Sequence, residues 1–203
     1  QLRCDVLVHY GHADMGLPVC LPTLYVEARV KRSPLEAVEQ ALLELNLKRV
    51  GLITTVQHVA HLSSLAELLR FRGLEPIVGN PGSRAKYLGQ VLGCDFGAAK
   101  SVIDRVDGFI YIGTGEFHPF GAALATGKQV MAVNPVAKGF KLMSPAMGDF
   151  QSKRRVMIAR AATCERFGVV TSTKLGQARF QLASALTDAL KRARREAHML
   201  VVD

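Results

Sequence analysis

Cysteine is scarce in this chain, and it is never clustered. The 203 residues hold four cysteines, Cys4, Cys20, Cys94 and Cys164, with no Cys-x-x-Cys pair among them. That excludes a locally written four-cysteine metal site. It also argues against a disulfide scaffold at this size and points to a reducing cytoplasm. No apolar run reaches the ~20 residues of a membrane-spanning helix, so no membrane role is expected. No signal peptide is written at the start. The chain opens Gln1-Leu-Arg-Cys4 rather than with Met, which predicts processing or truncation there. Aromatic residues make up only 6% and no nucleic-acid-binding motif is present, so nucleic acid is not the expected partner.

What is present is a core and a surplus of positive charge. Hydrophobic residues reach 49% and charged residues 21%, the balance of a folded chain of one large or two small domains. The net charge of +9 favours an acidic partner. Much of the surplus sits in Lys153-Arg154-Arg155 and in Lys191-Arg192-Ala-Arg194-Arg195, both on predicted helices, where such a run is usually a solvated face.

Apolar runs of strand length alternate with helical patterns. Strands are predicted over 4–10, 21–27, 49–55, 75–80, 107–113, 129–133 and 166–173, with a last one beginning at His198. The first reads as a buried parallel strand. Helices are predicted over 33–46, up to Arg72, up to Val102, over 114–127, up to Thr163 and over 176–196, with 136–150 read as a loop. The first helix opens with Ser33 as cap and Pro34 in the first turn. This alternation predicts an α/β fold of repeated doubly wound parallel-sheet domains. Ligands of such sheets gather outside the carboxyl ends of the strands.

The element order recurs. The stretch from Asp5 matches that from Asp107, Thr23–Glu27 matches 129–133, Arg49–Thr55 matches Arg166–Thr173, and Glu75–Val78 matches the stretch from His198. Four matches in one order indicate an internal repeat.

The stretch Tyr87–Ala99 stands out, because Gly89, Gly93 and Gly97 surround Cys94. A cysteine on such a loop can face a cavity as ligand or nucleophile, or it can be a small buried hydrophobe. Gly113-Thr-Gly115 follows a strand like a phosphate-type loop but lacks the full dinucleotide fingerprint; its amides can still bind a carboxylate or ribose. His118 either contacts substrate or caps a turn. His9 with His12, and His58 with His61, have ligand spacing without a nearby third ligand, so zinc is not expected at either. Lys174, Gly176, Gln177 and Arg179 precede a helix N-terminus, a position that suits a carboxylate.

The segments Gly89–Cys94, Asp107–Gly113, Phe117-His-Pro-Phe-Gly121, Arg166-Phe-Gly168, Thr173–Arg179 and Val8–His12 together resemble the archaeal diphthamide synthesis proteins, over essentially the whole chain. The resemblance implies three related domains, each giving one cysteine to a [4Fe–4S] cluster, and a homodimer. It implies transfer of a 3-amino-3-carboxypropyl group from S-adenosylmethionine to a histidine of translation elongation factor 2, by a radical mechanism. On this resemblance Cys94 is the cluster ligand of the middle domain. The cofactor-binding residues are then Gly113, Gly115, His118, Lys174, Gly176, Gln177 and Arg179. The electron donor stays unidentified.

The family's other two cluster cysteines have no counterpart here. Cys4, Cys20 and Cys164 fall outside the matching gaps and are read as structural. The expected division is 1–30 as the end of a first domain, 31–135 as a middle domain carrying Cys94, and 136–203 as the start of a third. The chain is then a partial one, inactive alone. The alternatives are a non-catalytic accessory module of the same pathway and an unrelated α/β enzyme acting on a nucleotide or sugar.

Overall fold

The computed structural model describes residues 4–145, 148–174 and 178–202. The chain divides into two compact units, Gln1–Met147 and Gly148–Asp203.

The first unit is built on a five-stranded sheet. Its strands are β3 (Arg49–Thr54), β4 (Glu75–Val78), β5 (Gly108–Ile112), β6 (Val130–Asn134) and β7 (Gly139–Met143), in the order β4-β3-β5-β6-β7. All neighbours are parallel except β6 and β7. Alternate residues feed two cores, as the period of two in a strand requires. Val50, Leu52, Ile110, Ile112, Met131 and Val133 face α1 (Leu35–Leu42) and α2 (Leu62–Phe71). Ile53, Phe109, Tyr111, Val130 and Ala132 face α3 (Gly97–Lys100) and α4 (Phe117–Thr126). Because both faces are covered, β3 and β5 are apolar along nearly their whole length, the pattern of a buried parallel strand.

At the amino ends of the strands, the Asp107 carboxylate ties β5 to β3. It accepts from the Arg49 amide at 2.8 Å and pairs with the Arg49 guanidinium at 2.6 Å. These bonds hold its pKa down at about 2.

A separate parallel pair, β1 (Leu7–Tyr10) with β2 (Thr23–Val26), precedes this sheet. Gln57, in the 3-10 turn before α2, reaches back to it: its Nε2 donates to the Gly11 carbonyl at 2.7 Å.

The second unit holds α5 (Gly148–Ala162), β8 (Arg166–Ser172), α6 (Phe180–Arg192) and β9 (Glu196–Val202), with β8 and β9 parallel. Among the described residues no helix is long and apolar enough to cross a membrane.

Three expectations are corrected. Residues 136–150 are not a loop throughout, because β7 pairs antiparallel with β6. The Asn134 side chain closes the hairpin by accepting from the Val136 and Ala137 amides, and Lys138 takes the left-handed turn position at φ 51°. The first strand is not buried: Leu7, Val8 and Tyr10 are exposed, since β1 pairs only with β2 among the described residues. The match of Glu75 is Glu196 and not His198, because β3 pairs with β4 at Arg49↔Glu75 and, within the second unit, β8 pairs with β9 at Arg166↔Glu196.

Candidate functional site

Cys94 sits at the tip of a braced turn. Leu92 and Asp95 exchange both backbone hydrogen bonds, at 2.8 and 3.1 Å. The Asp95 carboxylate accepts from the amides of Gly97 at 2.8 Å and Arg84 at 3.0 Å. A Cβ on Gly82 would lie 1.9 Å from that carboxylate, so glycine there is what admits the brace. The Cys94 thiol is free and exposed, which overturns the reading of a buried hydrophobe. Cys4, Cys20 and Cys164 are exposed too, so none of them packs into a core.

The turn is fastened to the sheet. Beyond the end of β4, residues Gly89–Val91 take its place beside β3: the Thr54 amide donates to Gly89 and its carbonyl accepts from Val91. Upstream, the Tyr87 hydroxyl donates to Glu27 at 2.6 Å, and Arg29 pairs with Glu27 at 2.7 Å and lies over the Tyr87 ring. Burial would raise the Glu27 pKa, but these hydrogen bonds outweigh it and lower it. The segment after β2 and the loop leading to Cys94 are thereby locked together.

Strand order places a crevice beside this turn. The chain leaves β3 towards β4 on one side and later returns to β5 on the other, so the carboxyl ends of β3 and β5 form a topological switch point. Two cavities open there, of about 310 and 190 Å³. Thr55, Gln57 and His118 line both. His58, Tyr111 and Thr114 line the larger; His12 and Leu92, the start of the Cys94 turn, line the smaller.

Burial favours the neutral form of three titratable groups here, His118, His58 and Tyr111. Burial, then the nearby His12, lowers the His118 pKa; burial, then His61, lowers that of His58. Burial pushes the Tyr111 phenol up to about 12, and Thr55 works against that shift without closing a hydrogen bond. The Tyr111 and His118 rings lie parallel, 6.2 Å apart.

The other expected residues are dispersed. Gly113 and Gly115 line a different cavity, of about 290 Å³, between β6, β7 and the loop after β5, with the Glu116–Lys141 ion pair at its rim. The Gly113 amide donates to Val133 in the sheet and is not open to a ligand. Lys174 and Arg179 are exposed in the second unit, where the Ala178 amide donates to the Lys174 carbonyl and Arg179 stands at the start of α6. Gly176 and Gln177 lie outside the described residues. His9 and His12 bond to each other at 3.1 Å, and among the described residues no group of three His, Cys, Asp or Glu could hold a metal. Cys94 therefore fits as a single thiolate ligand and not as part of a complete site.

Sequence reasoning missed Thr55, Gln57 and Tyr111. Their signal was positional: each sits at, or just past, the carboxyl end of an apolar strand.

Comparison with known proteins matches residues 1–203 to the family of diphthamide synthesis proteins. The chain is 38% identical over 202 residues to 2-(3-amino-3-carboxypropyl)histidine synthase of Pyrococcus horikoshii, covering 98% of this chain and 58% of that one. It is 29% identical to subunit 1 of the Schizosaccharomyces pombe synthase, covering 85% of this chain and 41% of the relative. The crystal structure of Dph2 from Pyrococcus horikoshii with 4Fe-4S cluster superposes with a TM-score of 0.88 over 98% of this chain and 58% of that one. The chain thus spans less than two thirds of the length of these relatives. A match along all of its residues, joined to the same fold, makes it a member of the diphthamide synthesis family.

Proposed function

We propose that this chain is part of a 2-(3-amino-3-carboxypropyl)histidine synthase, which transfers the 3-amino-3-carboxypropyl group of S-adenosylmethionine to a histidine of translation elongation factor 2. The observation that carries the reading is Cys94: a free, exposed thiol on a turn braced independently of it, beside the switch-point crevice. In this reading Cys94 supplies one of three thiolates to a [4Fe–4S] cluster, and the other two come from equivalent gaps of neighbouring repeats. The bound cluster supplies the electron that breaks a carbon–sulfur bond of S-adenosylmethionine. The chain's own part is to hold the co-substrate and keep water from it. Lys174 and Arg179 offer cationic groups for its carboxylate, and His118 lies at the crevice wall, within reach of substrate. The recurring parallel pairs support a first domain ending near residue 30, a middle domain from 31 whose sheet runs past 135 to Met143, and a third domain after it. The protein works as a homodimer in the cytoplasm, and its net charge of +9 suits an acidic protein substrate.

The test is anaerobic reconstitution, with iron and sulfide, of the gene product that contains this chain, as wild type and as Cys94→Ala. The wild type is expected to show the visible iron–sulfur absorption band and transferase activity, and the variant to lose both. A cluster indifferent to Cys94 returns the chain to an accessory, non-catalytic role.

A further inference from the structure

The helices α2 and α6 close with the same pair of backbone hydrogen bonds, donated by Gly73 and Leu74 in one and by Arg194 and Arg195 in the other. Residues 70–75 therefore match 191–196. Where the first stretch has Phe71, Gly73 and Leu74, the second has Arg192, Arg194 and Arg195, and Lys191 stands for Arg70. Arg194 even holds its side chain at φ 58°, a left-handed position that favours glycine.

The two ends also differ in how their charge is answered. Around α2, Arg49 pairs with Asp107, Arg72 with Glu39 and Lys48 with Glu75. At the end of α6, Arg195 donates to the Ala162 carbonyl at 3.2 Å. Among the described residues Lys191, Arg192 and Arg194 form no ion pair, and the acid beside them, Glu196, bonds to His198 at 3.1 Å. All three cations are exposed. The fold does not cover this end even where the sheet continues past β3. There Phe71 is 86% exposed, and nothing lies within 4 Å of a Cβ on Gly73.

Such a surface suits carboxylates, which arginine can grip with two parallel bonds. It is not uniformly positive, because Asp188 lies one turn before Lys191 and Glu196 follows Arg194 by two residues. A phosphate backbone would meet both acids as repulsion, whereas a protein face can set a cation against each. Residues 181–200 also hold no Phe, Tyr or Trp on which a base could stack.

We propose that Lys191, Arg192 and Arg194 form a docking surface for an acidic protein face. The surface lies at the amino ends of β8 and β9, so the carboxyl ends, with Lys174 and Arg179, stay open when it is occupied. The inference rests on the proposed function only in taking elongation factor 2 as that protein.

The experiment measures binding of elongation factor 2 to the gene product that contains this chain, by calorimetry over a range of salt. The wild type is expected to bind, more weakly as salt rises. Arg192→Glu/Arg194→Glu should weaken binding by at least about tenfold and flatten the salt dependence. Arg192→Lys/Arg194→Lys keeps the charge and should stay within about threefold of wild type. Arg154→Glu/Arg155→Glu makes the same change in net charge on α5 and should also stay within about threefold. A short single-stranded RNA should bind less tightly than the factor. The proposal is overturned if the wild type does not bind, if binding ignores salt, if the glutamate pair at 192 and 194 does no more than the lysine pair or the α5 pair, or if the RNA binds more tightly. Cluster assembly reads the other question. Binding without a cluster leaves this surface standing while the transferase reading falls, and a cluster without binding does the reverse.

Discussion

The chain contains one βαβ design twice, and the two copies differ in what surrounds them. In β3–α2–β4 and in β8–α6–β9 the strands pair in equivalent register, Arg49↔Glu75 and Arg166↔Glu196. The helices end in the same hydrogen bonds: Gly73 and Leu74 donate to Arg70 and Leu69, as Arg194 and Arg195 donate to Lys191 and Leu190. Yet β3 is buried from Val50 to Thr54, while β8 buries only Val169 and Thr171 among its residues. The first copy has a second parallel neighbour, β5, and helices on both faces. A βαβ unit by itself thus supplies a strand end; a crevice needs the neighbour on the other side.

The largest expected contrast lies at the two matched glycines. A Cβ on Gly51 would lie 2.3 Å from the fully buried Phe109 ring, whereas one on Gly168 would lie 3.1 Å from the end of Leu200. Gly51→Ala is expected to cost about 1–3 kcal/mol or more by overpacking, and Gly168→Ala well under that, in denaturant unfolding. Equal costs would mean that the two copies are packed alike.

A smaller contrast has opposite signs. The helix-ending left-handed position is Gly73 at φ 78° in one copy and Arg194 at φ 58° in the other. Nothing lies within 4 Å of a Cβ on Gly73, so Gly73→Ala tests backbone strain alone and should destabilise by about 1 kcal/mol. Arg194→Gly should stabilise by up to about 1 kcal/mol, read as a shift in Tm.

The smallest effect concerns pH. Asp107 titrates at about 2 in the fold, against 3.8 ordinarily, so its contribution is full above about pH 5 and lost as pH falls through 3.8 towards 2. Asp107→Asn should flatten the stability profile in that window, measured by thermal unfolding from pH 6 to 2. Arg166→Ala should leave the profile unchanged, since among the described residues that arginine has no such carboxylate partner.

The legible parts of the sequence were those with a local period. β3, β5 and β6 came within a residue or two because each is a continuous apolar run between turn signals. β7 was missed because its partner and its turn are not local signals: Lys141 interrupts a five-residue strand, and the hairpin depends on a lysine in a glycine-like conformation. At the candidate site, Cys94 stands out between its glycines and His118 in Phe117-His-Pro119, but it is the resemblance to the diphthamide synthesis family that assigns them roles. Tyr111 was not legible, because inside the run Asp107–Gly113 it reads as one more core residue. Thr55 and Gln57 carry no motif; they matter because β5 lies beside β3, and strand order is not written in any window of the chain.

The brace at Asp95 separates two duties between adjacent positions. Shape belongs to Asp95 and to the glycines that admit its carboxylate, and chemistry is left to the residue before it. Position 94 can then vary without disturbing the loop, while its neighbours cannot. Folding asks nothing of the Cys94 thiol, so replacing it changes chemistry while the shape of the loop stays in place.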